Sequence, residues 1–152
     1  MKLAEGLILR ADAKKRIEQL RARLLRNARV QEGDAPTENP SLLTAEFERV
    51  AADLARLIRS INRTNINTLV ADGLTVSDAI AERDILALRH KLYSELAAAG
   101  ATRQDRFTRG EVRYVNAIDV AATQAQADEL ARAHRDLDSR IQATNWTTEL
   151  IE

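Results

Sequence analysis

Two histidines, a mixed-sign run of adjacent charges and a scatter of side-chain amides are the residues whose types could do chemistry. His90 and His134 are the only histidines. A di-iron site in a helical bundle takes a Glu-x-x-His motif from each of two helices. Here the residues three places earlier are Ala87 and Ala131, so no such site is expected. The chain has no cysteine, which excludes disulfides, thiolate metal sites and Cys nucleophiles. Two histidines without cysteine do not make a structural zinc site either. The five glycines stand singly, so no loop cradles phosphates, and no Ser sits in a Gly-x-Ser-x-Gly turn. Glu82-Arg83-Asp84 could supply a general acid or base, but such a triplet on a helix is more often a solvated or ion-paired face. The expectation is a protein with no catalytic residues, metal or cofactor.

Apolar periodicity supplies four long helices to position these residues. In the first, from about Lys2 to Arg29, Ala13, Ile17, Leu20 and Leu24 recur at helical spacing, and Asn27 falls next on the same stripe. Residues 30–40 hold Gly33, Asp34, Pro36, Asn39 and Pro40, all turn formers, and read as a loop. The second helix follows with Ser41 as N-cap. Its seam is Leu43, Phe47, Val50, Leu54, Leu57 and Ile61, a regular heptad of the coiled-coil kind that Thr64 and Thr68 continue. It should end near Leu69 to Ala71, before Asp72-Gly73. Thr75 and Asp78 then form a capping-box-like pair opening the third helix. Ala81, Ile85, Leu88, Leu92 and Leu96 mark its expected buried face, and Gly100 stops it. The fourth helix opens near Asp119 and runs to about Trp146, with Ala127, Leu130, His134, Leu137 and Ile141 on its seam. His134 reads as a hydrogen-bonded core or interface histidine. Between the last two helices, Val112, Tyr114, Ile118 and Val120 alternate as in one short β-strand near 112–118. A lone strand needs a partner, which a two-fold copy could supply. An extended linker or the first turns of the fourth helix are the alternatives.

The fold class is therefore all-α: one domain over residues 1–152, built as an antiparallel four-helix bundle. Helices on the order of 35–42 Å long, at about 1.5 Å per residue, match one another in length. Only five residues are aromatic, so Leu, Ile, Val and Ala must fill the core. Net charge is zero, yet residues 1–30 carry nine Lys/Arg against three Asp/Glu. A basic helix could meet nucleic acid or an anionic membrane. A neutral chain lacks the usual footprint of such binders, and acidic surfaces of its own fold or of a sister subunit are the expected partners. Glu5 and Arg10 interrupt the apolar N-terminal stretch, and no segment approaches the roughly 20 apolar residues of a membrane span. A cytoplasmic protein is expected.

Antiparallel threading gathers the start of helix one, the end of helix two, the start of helix three and the end of helix four at one pole. That pole would hold Glu5, Arg10, Asn62, Arg63, Asn65, Asn67, Glu82, Arg83, Asp84, Asn145 and Trp146. One reading is a polar pocket for a small anionic or amide-bearing ligand, with Trp146 as an apolar wall. The other is structural: amides cap helix ends, ion pairs fix register and buried polar residues specify oligomer state.

Ile61-Asn62-Arg63-Thr64-Asn65, Ala81-Glu82-Arg83-Asp84, Gln104-Asp105-Arg106-Phe107 and Ile141-Gln142-x-x-Asn145-Trp146 together resemble a family of small uncharacterised bacterial proteins. Lys2-Leu3-Ala4-Glu5 and Arg26-Asn27-Ala28 extend the similarity over essentially the whole chain. Some members are labelled septicolysin. The resemblance implies a helical fold and carries over no catalytic residue. The label would imply a pore-forming cytolysin. The reading of the residues themselves is a self-associating, non-enzymatic helical protein, with a ligand-binding bundle or small enzyme as the alternative.

Overall fold

The computed structural model describes residues 1–102 and 113–152. It is mainly helical, consistent with a helical bundle: α1 (Leu3–Arg26), α2 (Pro40–Asn67), β1 (Leu69–Ala71), β2 (Leu74–Thr75), α3 (Val76–Ala101) and α4 (Val120–Thr147). The chain divides into two compact units, residues 1–69 with 142–152, and residues 70–141. The continuous helix α4 contributes to both.

In the first unit α1 and α2 pack along each other as an antiparallel helical hairpin. The expected seams are the ones used. Leu20, Leu43 and Ile61 are buried, and Ile17, Leu24, Phe47, Val50, Leu54 and Leu57 are half-buried. Asn27, next on the α1 stripe, is also buried. Its Nδ2 donates to the Arg23 carbonyl at 2.9 Å, and its Oδ1 accepts from the Glu38 amide at 3.0 Å. One amide thus closes the end of α1 and holds the returning loop. The N-cap of α2 is Asn39 rather than Ser41: Asn39 Oδ1 accepts from the Ser41 and Leu42 amides at 2.9 and 3.4 Å. Pro40, which has no N–H to satisfy, takes the first helical position.

Helix α2 ends at Asn67, earlier than the pattern predicts, because residues 69–71 leave it to pair with 74–75 as a β-hairpin. Asp72-Gly73 is the turn. Gly73 has φ +74°, a left-handed conformation that glycine adopts without steric cost. The strand expected near 112–118 is not formed in its described part. Residues 113–118 have no regular structure, and Tyr114 and Val115 are strongly exposed instead of alternating in burial. Val112 lies outside the described residues.

In the second unit both predicted caps are present. The Thr75 hydroxyl accepts from the Asp78 amide at 3.1 Å and donates to its carboxylate at 2.7 Å. Asp119 Oδ1 accepts from the Ala122 amide at 3.0 Å. On α4, Ala127, Leu130 and Ile141 are buried, and His134 and Leu137 are half-buried, as expected.

Helix α3 reverses its expectation. Ala81, Ile85, Leu88, Leu92 and Leu96 are exposed, the four aliphatics by 55, 64, 60 and 38%. The covered residues include instead Val76, Ala79, Arg83, Leu86, His90, Tyr93 and Ala97. These also recur at alternating spacings of three and four. The helix therefore has two heptad faces, and the face of smaller and more polar residues turns inward. Gly100 does fall at the end of the helix, one residue before its last, Ala101. A Cβ there would stand 2.8 Å from Val120 Cγ2 and 3.0 Å from Ile118 Cδ1.

Candidate functional site

Within the first unit the end of α2, the start of α1 and the segment after α4 meet. Thr64 is fully buried at the end of the α2 seam. Its hydroxyl donates to the Ser60 carbonyl at 2.8 Å and accepts the Ile151 amide at 2.9 Å. Leu3 donates its amide to the Thr148 carbonyl at 2.9 Å, and Leu150 to that of Met1 at 2.8 Å, around an antiparallel bridge between Lys2 and Glu149. The Lys2 ammonium pairs with Glu149 at 2.6 Å and donates to the Thr147 carbonyl at 3.1 Å. That ammonium, and then the Met1 amino group, hold the Glu149 carboxyl below its ordinary range.

The proposed polar residues of this unit serve mainly the chain itself. Arg63 donates to the Glu152 carbonyl at 2.5 Å. Asn67 turns back to the Arg63 carbonyl at 2.8 Å. Asn145 is buried, Asn62 is exposed and Arg10 is half-exposed. Trp146 is 56% exposed, so it does not form a covered apolar wall. Asn65 differs: its Oδ1 is buried and has no hydrogen-bond partner among the described residues. On the far side of α2 from Asn65, Arg56, Arg59 and Arg63 line an open depression with Asp53, Ser60 and Leu150.

Glu82, Arg83 and Asp84 belong to the second unit. Arg83 donates to Asp84 at 2.9 Å and, through Nη1, to Asp138 at 3.1 Å. The bond to Asp84, then that to Asp138, raise its pKa further against the opposing effect of burial. This is a register-fixing pair of α3 with α4, and Glu82 stays exposed. His90 bonds to Ser94 at 3.2 Å, and with Ala87 it faces Ala131, His134 and Arg135 across a shallow depression. Among the described residues no group of three or more His, Asp and Glu could hold a metal.

Sequence reasoning missed the two contacts that tie most together. Asp138 carries no local signal that it meets Arg83. Thr64 was legible as a polar continuation of the α2 seam, but its acceptance of the Ile151 amide was not. The motif Gln104-Asp105-Arg106-Phe107 lies outside the described residues. The basic character of α1 is partly answered internally. Arg16 pairs with Glu46 and Arg23 with Glu38, bonds that hold both carboxyls below their ordinary range.

Fold and site together define a mainly helical protein whose polar groups largely hold its own chain, with an uncovered aliphatic stripe on α3. The chain belongs to a family described as a family of unknown function, DUF6847, whose model matches residues 10–150. It is similar to the crystal structure of a functionally unknown conserved protein from Corynebacterium diphtheriae. The two share 43% identity over 99% of this chain and 98% of that one, with a TM-score of 0.92. A search of curated proteins gave no match.

Proposed function

We propose that the protein is a non-enzymatic, cytoplasmic helical protein that self-associates and has a structural or interaction role. One observation carries this reading. Ile85, Leu88, Leu92 and Leu96 form an exposed aliphatic stripe on a helix whose opposite face is already covered. A helix apolar on two faces is at home when buried on both, and contiguous exposed apolar patches mark interaction surfaces.

Light scattering after size exclusion, on the untagged protein at micromolar concentration and several salt concentrations, tests it. The expected mass is that of a dimer or larger closed oligomer. Leu88→Lys should lower it to one chain with helix content unchanged. A wild-type protein that stays a single chain throughout would sink the reading.

A second reading, a ligand pocket in the first unit, is favoured by the arginine-lined depression on α2. It predicts that a broad thermal-shift screen finds a small anion whose effect is lost in Arg63→Ala. If Arg63→Ala only lowers stability and the screen is empty, that reading loses its support. The septicolysin label would imply membrane disruption. No helix among the described residues is long and apolar enough to cross a membrane. Failure to release dye from anionic and sterol-containing vesicles would count against that role.

A further inference from the structure

We infer that two copies of the chain pair through α3 in antiparallel orientation, about a two-fold axis passing between positions 86 and 87. The inference rests on the self-association reading and specifies its surface and register.

Ala81, Ile85, Leu88 and Leu92 follow one another at spacings of four, three and four, the rhythm of a helix–helix seam. Antiparallel pairing about the stated axis sets Ile85 opposite the partner's Leu88, and Ala81 opposite the partner's Leu92. The outer layers then match a small side chain to a large one, as close helix packing requires.

Charge decides the orientation. Beside the seam lie Glu82 and Asp84 on the N-terminal side of the axis, and Arg89 and Lys91 on the C-terminal side; all four are exposed. The bond from Arg83 to Asp84 leaves that carboxylate side chain 63% exposed. An antiparallel partner brings Glu82 towards the partner's Arg89, and Asp84 towards the partner's Lys91. The two-fold axis repeats both pairings. Parallel pairing would instead set Glu82 level with the partner's Asp84 and Arg89 level with the partner's Lys91, like charges in both cases, and would keep only Asp84 with the partner's Arg89 as an opposite-charge pair. The stripe thus complements itself better in the antiparallel direction.

The absence of cysteine allows a direct test by cross-linking. Positions 81 and 92 of one helix are about 17 Å apart at about 1.5 Å per residue. A disulfide tolerates no more than about 7 Å between Cα atoms, so these two positions cannot be bridged within one chain. Both are exposed, so Ala81→Cys and Leu92→Cys should leave the fold intact, which circular dichroism checks. Under mild oxidation the double variant should form a covalent dimer, while each single variant stays uncrosslinked. Cross-linking by both single variants would mean parallel pairing and would overturn the inference. No cross-link in any variant, with a wild-type dimer by light scattering, would place the contact elsewhere and overturn this surface while sparing self-association. A monomeric wild type would overturn both.

A charge exchange gives an independent readout. Arg89→Glu should weaken dimerisation about tenfold, because it puts two like-charge contacts per dimer in place of two attractive ones. Glu82→Arg combined with Arg89→Glu should recover most of that loss. Equal dimerisation of all three proteins would contradict the register.

Discussion

Arg83 on α3 donates to Asp138 on α4 at 3.1 Å while also holding Asp84, its neighbour in sequence, at 2.9 Å. Arg83 occupies a covered position of α3 where an aliphatic side chain would be the ordinary choice. The pairing fixes the rotation of α3 about its axis. It keeps the guanidinium inward and so leaves Leu88 and Leu92 outward.

A double-mutant cycle should detect this coupling. Both side chains keep some solvent access, 25% for Arg83 and 38% for Asp138. The expected interaction energy is therefore that of a well-formed but partly screened pair, about 1 kcal/mol. Urea unfolding of Arg83→Gln, Asp138→Asn and the double variant measures it. Strict additivity of the two single losses would show that the pair contributes no stability of its own.

Asn27 offers a second prediction. It is 9% exposed, and its two polar atoms serve the Arg23 carbonyl and the Glu38 amide. Asn27→Ala should cost about 1 kcal/mol, because the Glu38 amide loses its acceptor in a covered place while the Arg23 carbonyl keeps the backbone amide of residue 27. Asn27→Asp should recover only the bond from the Glu38 amide, since a carboxylate cannot donate to the Arg23 carbonyl. Denaturation midpoints in the order wild type, Asp, Ala are expected. An alanine variant as stable as wild type would show that water replaces both bonds.

These two residues also show what was legible in the sequence. Asn27 was readable as the next position on the α1 stripe, since periodicity places a residue on a face whatever its type. The seams of α1, α2 and α4 were readable for the same reason. Helix α3 was not, because hydrophobicity ranks its faces in the wrong order. Ile85, Leu88 and Leu92 make the more apolar stripe, while the covered face depends on Arg83 meeting Asp138, a residue 55 positions away. The hairpin at 69–75 was missed although Asp72-Gly73 between apolar runs is a known turn signal. Its strands are three and two residues long, too short for alternation to register. At the polar pole, chemistry-bearing types were identified, but pattern alone cannot tell an amide that binds a ligand from one that binds its own backbone.

Stability should fall in acid for a reason tied to named carboxylates. Glu38, Glu46 and Glu149 all have depressed pKa values in the folded chain, caused first by hydrogen bonds from Arg23, Arg16 and Lys2 respectively. In the unfolded chain each returns to about 4.3. A folded value below the unfolded one means the contribution is complete above the unfolded pKa. It is lost as pH falls through the folded value. Stability from these groups should therefore be flat from pH 7 to about 5 and decline below about 4. Glu46→Gln should be less stable than wild type at pH 7, and the difference should shrink towards pH 3. A difference independent of pH would mean that the Arg16–Glu46 pair does not respond to ionisation.

Gly100 gives a prediction in which two effects oppose. A glycine in a helix interior costs about 1 kcal/mol relative to alanine, so at the penultimate position of α3 Gly100→Ala gains at most about that much from helix propensity alone. The added methyl would, however, stand 2.8 Å from Val120 Cγ2 and 3.0 Å from Ile118 Cδ1, well inside ordinary contact. Val120 is β-branched and opens α4 directly after the Asp119 cap, so its side chain has little rotational freedom with which to yield. Overpacking of this kind typically costs about 1–3 kcal/mol, which offsets the propensity gain and leaves a net loss on the order of 1 kcal/mol. Gly100→Ala should therefore lower the urea midpoint despite being a better helix former. Combining it with Val120→Ala should remove the closest clash and make the effect of the alanine at position 100 stabilising. If Gly100→Ala alone raised stability by about 1 kcal/mol, the value of helix propensity, the approach of residues 118 and 120 to α3 would have to be loose enough to move aside.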